Sequence, residues 1–204
     1  MIQLENINKS FDGRTLYNNL NLTIEDGDFV CFTGPSGCGK TTLLNMIGGL
    51  EKPDSGTIIV NGKNLGRKKD LFRFFRDDVG FVFQNFALVE KKTVRENLAM
   101  IAPGSRDKCT PEEALAFVGL SDAIDRKVYK LSGGEQQRIA LARLLIKKCS
   151  LVLADEPTGS LDEKNADMVG SLLTELNKMG KTVVMVTHSE KMSKIAKRII
   201  ELER

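Results

Sequence analysis

Gly34-Pro35-Ser36-Gly37-Cys38-Gly39-Lys40-Thr41, followed by Thr42, fits the pattern G-x-x-x-x-G-K-[ST]. Such a loop does phosphate chemistry: its glycines let backbone N–H groups turn inward around phosphate oxygens, and the helix that follows adds its positive dipole end. Lys40 then serves as a point charge over the β- and γ-phosphates, and the Thr41 hydroxyl as a ligand for Mg²⁺. The pattern has meaning only between a strand and a helix. Residues 29–33 form an apolar, β-rich run, and residues 42–47 are apolar on one side at helical spacing, so both flanks are present. A glycine-rich turn that merely carries Lys-Thr is the alternative, and those flanks argue against it.

Asp155-Glu156 closes a second apolar run, residues 151–155. A carboxylate at a strand end is a natural member of an Mg²⁺ shell, the role read for Asp155. Glu156, one residue beyond, is placed to polarise a water if it lies within hydrogen-bond reach of the γ-phosphate side. His188, the chain's only histidine, directly follows the apolar run 182–187, and Gln84 follows the run 79–83. Strands of this kind, buried on both faces and separated by helices, form a parallel sheet that binds ligands outside its strands' carboxyl ends. One end of one sheet can therefore collect Lys40, Gln84, Asp155 and His188. Leu131-Ser132-Gly133-Gly134-Glu135 adds a second glycine-opened helix start, built for an anion as the first one is.

The elements that must position these residues are legible in outline. Residues 2–7 and 20–24 alternate apolar and polar around an Asp12-Gly13 turn, and residues 57–60 lie between two turn signals. They predict an antiparallel β layer beside the core. Phe11, just before Asp12, is either packed in the core or an aromatic face for adenine. Residues 85–148 read as mostly helical, with a capping box at Thr93 and a proline-led helix after Thr110. Residues 163–179 are amphipathic and end at Gly180, and residues 182–187 are expected to be the final central strand.

At 204 residues, 41% hydrophobic and 28% charged, the chain fits one large α/β domain, alone or with a small subdomain. A net charge of +3 does not argue for nucleic acid, and the Gly66-Arg67-Lys68-Lys69 cluster reads as solvated surface. No apolar run reaches the roughly 18 residues that span a bilayer, and the N-terminus lacks a signal design. The four cysteines show no metal-binding spacing and fit reduced thiols in a cytosolic protein. Bulky modification of Cys38, inside the loop, is expected to block nucleotide.

With its motifs in this order, the chain resembles the ATP-binding cassette (ABC) family over essentially its whole length. The resemblance implies a P-loop core of mostly parallel sheet flanked by helices, with an antiparallel β subdomain. Those parts occupy residues 1–84 and 149–204, and an inserted helical subdomain occupies 85–148. It implies ATP with Mg²⁺, with Phe11 stacking on adenine and Gly34, Pro35, Ser36, Gly37, Cys38, Gly39, Lys40, Thr41 and Thr42 as the phosphate cradle. It also implies Thr41, Gln84 and Asp155 at the metal, Glu156 as base, His188 as switch and Ser160-Leu161-Asp162 as a dimer contact. Two copies are expected to pair head to tail, with Ser132, Gly133, Gly134 and Glu135 of one covering the ATP of the other. Glu135 stands where the family more often has glutamine.

The implied function is ATP hydrolysis at the inner face of the cell membrane, energising a separate permease that docks near residues 84–97. Within the family the chain is similar to the branch serving lipoprotein release, macrolide and peptide efflux, and bacteriocin export, although Phe86-Ala87-Leu88 replaces that branch's usual proline-containing ending. Two alternatives are regulation of a membrane-bound cell-wall or division complex and action on DNA or ribosomes. The second calls for coiled-coil or paired-cassette features that this sequence does not have.

Overall fold

Asp12 and Gly13 both take left-handed backbone, with φ of 48° and 80°. That pair of angles is the two-residue turn whose twist matches antiparallel strands, so β1 (Ile2–Phe11) folds back on β2 (Arg14–Ile24). A computed structural model describes residues 1–203. In it β4 (Ser55–Val60) pairs with the free edge of β1, and β5 (Lys63–Asn64) completes an antiparallel sheet in the order β2-β1-β4-β5. Ile2 and Leu4 alternate onto the buried face, and an irregularity at Asn6, with φ of 52°, brings Ile7 back to it.

The second sheet is parallel. It contains β3 (Phe29–Thr33), β6 (Val79–Phe83), β7 (Leu151–Asp155), β8 (Thr182–Val186) and β9 (Arg198–Glu201), in the order β6-β7-β8-β3-β9. Its strands separate two cores. Val30, Phe32, Leu151, Leu153, Val184 and Val186 face one core, shared with α1 (Lys40–Ile47), α2 (Lys68–Asp77) and the antiparallel layer. Phe29, Cys31, Val152, Ala154, Val183 and Met185 face the other. There they meet α3 (Val94–Ala99), α4 (Pro111–Phe117), α5 (Gly133–Ile146) and α6 (Glu163–Lys178). Both faces of β3, β7 and β8 are buried, which explains runs that are apolar throughout instead of alternating. This is the α/β fold expected from the sequence.

Three details differ from the sequence reading. β8 is central but not final, because α7 (Glu190–Ser193) and then β9 follow, and β9 pairs with the edge of β3. The helix after the phosphate loop starts at Lys40 instead of residue 42, since Gly39 turns the chain at φ 104° and serves as its N-cap. Residues 85–93 are an ordered loop, and helix begins only at Val94. Phe86 and Ala87 adopt φ of 62° and 48°, unusual for residues with side chains. The Arg143 guanidinium holds them by donating to both their carbonyls, at 2.9 and 2.7 Å. The buried Asn97 side chain bonds the N–H and C=O of Val89 and the C=O of Thr93, fixing the loop's other end.

The capping box forms as expected at Thr93 with Glu96, and the proline-led helix starts on Pro111, where Thr110 and Glu113 form a further capping box. Bonds from Thr93 hold the Glu96 carboxyl at a pKa of about 2. Among the described residues no helix is long and apolar enough to cross a membrane.

Candidate active site

The carboxyl ends of four adjacent strands converge. Thr33 of β3 leads into the phosphate loop, Asp155 ends β7, His188 lies two residues past β8, and Gln84 follows β6. Around them is a cavity of about 240 Å³ lined by Ser36, Gly37, Lys40, Thr41, Glu156 and His188, with Leu16 of β2 on its rim. Gly34 must be glycine here. Its φ is 137°, and a Cβ would lie 2.3 Å from the Leu202 carbonyl oxygen.

Lys40 is almost wholly buried, and its ammonium donates to the carbonyls of Gly34 and Pro35, both at 2.8 Å. The charge therefore sits inside the loop's curl. Arg14 donates to the Gly37 carbonyl at 3.1 Å, tying the loop to the antiparallel layer.

The Thr41 hydroxyl lies 3.1 Å from Asp155 Oδ1. Burial pushes the Asp155 carboxyl above the ordinary range, against the opposing effect of that hydroxyl bond. A half-buried carboxylate beside a hydroxyl, both hard oxygen donors, suits a hard divalent cation such as Mg²⁺. A carboxyl whose folded-state pKa is raised costs stability in its ionised form. That cost is absent well below its unfolded pKa and sets in as pH rises through the folded one. Asp155→Asn is therefore expected to raise the melting temperature of the nucleotide-free chain at neutral pH. The same variant is expected to lose the added stability that Mg²⁺-ATP confers. Thermal melts with and without Mg²⁺-ATP check both outcomes, and an unchanged nucleotide-dependent shift would remove Asp155 from the cation's shell.

Glu156 adopts φ 45°, a strained conformation for a residue with a side chain, held by its N–H donating to the Val186 carbonyl at 3.0 Å. The Thr187 hydroxyl donates to Glu156 Oε2 at 3.3 Å, and His188 Nε2 lies 3.6 Å from Oε1. Oε1 is buried and has no hydrogen-bond partner among the described residues. The glutamate is thus oriented by its neighbours and keeps one lone-pair-bearing oxygen free. The Gln84 amide packs on Gly159, where a Cβ would lie 3.1 Å from Gln84 Nε2 and 3.6 Å from the Glu156 Cβ.

Phe11 lies at the tip of β1 and is 44% exposed, which removes the core-packing alternative. The Lys9 ammonium sits 4.5 Å from the centre of its ring.

The second helix start lies outside this cavity. Ser132 is the N-cap of α5, and its hydroxyl accepts from the Glu135 N–H. Glu135 answers by accepting from the Ser132 N–H at 2.7 Å and pairs with Arg126 at 3.0 Å. Although burial pushes the Glu135 carboxyl up, those bonds hold it below the ordinary range. Its side chain is thus committed within its own chain, while Gly133 and Gly134 supply the helix's open N–H groups. Asp162, of the Ser160-Leu161-Asp162 stretch, caps α6 by accepting from Asn165.

Three contributors had no sequence signal strong enough to single them out. Buried Gln137 donates to the Pro157 carbonyl at 2.6 Å and so ties α5 to the segment after Glu156. Thr187 orients Glu156 from 31 residues away. Tyr17 packs its ring beneath Gly39, whose Cβ would meet the phenol oxygen at 2.8 Å. Tyr17 simply continues a strand pattern, and the partners of Gln137 and Thr187 are distant in sequence.

A parallel sheet, a phosphate loop opening a helix, and acids at the neighbouring strand ends define a phosphate-loop nucleotide hydrolase. Comparison with known proteins narrows that class. The family described as ABC transporter matches residues 17–159. The lipoprotein-releasing system ATP-binding protein LolD of Bacteroides thetaiotaomicron is 42% identical over 99% of this chain and 96% of its own. The macrolide export ATP-binding/permease protein MacB of Campylobacter jejuni is 39% identical over all of this chain, which spans 33% of that protein. Among solved structures, the ATP-binding cassette MJ0796, in a dimeric post-hydrolysis state bound to ADP and Pi, superposes with a TM-score of 0.84. It is 36% identical over 100% of this chain and 94% of its own. The chain belongs to the ABC transporter family, as an ATP-hydrolysing, ATP-binding subunit.

Proposed function

We propose that the chain energises a separate membrane permease for the export or extraction of a lipoprotein, peptide or antimicrobial compound. The observation that carries this reading is the segment leaving β6. Gln84 packs beside Glu156 through Gly159, and Phe83 and Ala87, on either side of it, line a cavity of about 400 Å³. The rest of its wall includes Phe75, Phe81, Met100 and Ile101, with Arg143 and Lys147. An apolar cavity on the same short loop as a site residue is suited to passing a partner's movement to the site. We place the permease there, with the cassette peripheral on the inner face of the membrane.

In the catalytic cycle, Lys40 and the loop N–H groups hold the β- and γ-phosphates, and Phe11 takes the adenine. Thr41, Asp155 and Gln84 would hold Mg²⁺, which neutralises developing charge on the phosphates. Glu156 accepts a proton from the attacking water, held by Thr187, and His188 orients the γ-phosphate side. Two copies pair head to tail, so that Ser132, Gly133 and Gly134 of one close the ATP site of the other. Glu135 belongs to that closure as the box that fixes the helix start. The likeness to LolD and MacB supports the export branch, and the dimeric relative supports the pairing.

The test is co-purification of the tagged chain from native membranes. A stoichiometric integral-membrane protein is the expected result, and its sequence identifies the cargo class. Recovery of the chain with cell-wall or division proteins and no permease would favour the regulatory reading instead.

A further inference from the structure

The charge excess of this chain resides on one helix. Residues 67–77 contain five basic and two acidic residues, a formal +3 that equals the net charge of the whole sequence. In α2 the side chains sort cleanly. At the helical spacing, Lys68, Lys69, Phe72, Arg73 and Arg76 fall within an arc of about 140°, and all five are exposed. Phe74 lies opposite and is fully buried, while the half-buried Leu71 and Phe75 lie between it and the arc's edge at Lys68. The exposed arc contains no acid. Arg76 pairs with its neighbour Asp77 at 2.7 Å, whereas the side chains of Arg67, Lys68, Lys69 and Arg73 make no ion pair or hydrogen bond among the described residues. Within the arc, between Lys68 and Arg76, stands Phe72, 66% exposed, the most exposed large apolar side chain among the described residues.

A largely unpaired basic cluster accounts for solubility, but an exposed aromatic ring within it does not. We propose that this face of α2 rests on the anionic surface of the membrane, its cations against lipid phosphates and Phe72 inserted at the headgroup level. A helix with Lys and Arg around a large apolar side chain is suited to lying in that interface, and the cations add attraction to an anionic leaflet. The face is the exposed side of a helix, which fits a broad surface better than a threaded strand. Its position agrees with the permease reading, on which this part of the proposal rests. Phe75, one step round the helix from Phe72, lines the cavity assigned to the permease, so the basic face borders that docking site.

The experiment is sedimentation of the full chain with vesicles of phosphatidylcholine, with and without phosphatidylglycerol, at low and high salt. Binding is expected only with phosphatidylglycerol and is expected to fall as salt rises. The combined variant Lys68→Gln, Lys69→Gln, Arg73→Gln is expected to bind roughly 100-fold more weakly, and Phe72→Ser roughly tenfold. A matched variant losing three exposed lysines elsewhere (Lys108→Gln, Lys164→Gln, Lys197→Gln) should bind as the unaltered chain does. ATP hydrolysis in solution should be unchanged in all of them, which also shows that they fold. Absence of binding to anionic vesicles, or equal loss in the matched variant, overturns the proposal. If vesicles are not bound but the basic-face variant no longer co-purifies with the permease, the face reads an acidic protein segment instead. Detergent-extracted permease still co-purifying with the unaltered chain would leave the function standing while the lipid contact falls. Vesicle binding without any permease would do the reverse.

Discussion

Glu156→Gln is expected to lower steady-state ATP hydrolysis by about 10²–10⁴-fold, the range for removing a positioned general base, while ATP still binds. The substitution keeps the side chain's shape and one oxygen able to accept from Thr187, which lies 3.3 Å away. It removes the negative charge and the basic lone pair at the buried, unpartnered Oε1. The constraint at φ 45° is the same for both residues, so the backbone has no reason to move. With no carboxylate to repel the γ-phosphate and no turnover to release it, the ATP-bound dimer should accumulate. Size-exclusion chromatography with ATP reads the dimer, and a phosphate-release assay reads the rate. Hydrolysis near the unaltered rate would take the base role away from Glu156.

Lys40→Ala is expected to weaken ATP binding by about 100-fold or more, on the scale of one lost charge-assisted contact to phosphate. The ammonium is nearly buried within the curl of the loop, a position that Arg14, held on the Gly37 carbonyl at 3.1 Å, does not occupy. The loss also frees the carbonyls of Gly34 and Pro35, and part of the effect could come from a slackened loop. Thermal melts of the nucleotide-free variant separate the two contributions. A large loss of affinity with a small loss of melting temperature identifies the charge, and an unchanged affinity would sink the phosphate-loop assignment.

The sequence was most informative where chemistry and local backbone coincide. The loop of residues 34–42 was legible because glycines, lysine and threonine serve the phosphate and the turn together. Asp155, Gln84 and His188 were legible because each directly follows a strand whose apolar run marks it. The helix caps at Thr93, Thr110 and Ser132 lie within three residues of their partners. α2 was read only as a basic surface cluster, although Leu71, Phe74 and Phe75 carry the helical spacing that reveals it. β9 offered just four residues and a half-exposed pattern.

By itself, then, the sequence determined the phosphate loop, the apolar runs that lead to the site, and the family. Those features depend on residues within one element or one turn, where spacing in sequence is spacing in space. The tertiary structure alone decided which groups orient one another: Thr187 on Glu156, Arg143 on the left-handed carbonyls of Phe86 and Ala87, Leu202 against Gly34. It also decided that Glu135 is spent on Arg126 and its own helix cap, and that the cations of α2 share one face with Phe72. Each of these rests on contacts set by how strands and helices pack, or on the choice among several partners that a side chain can reach.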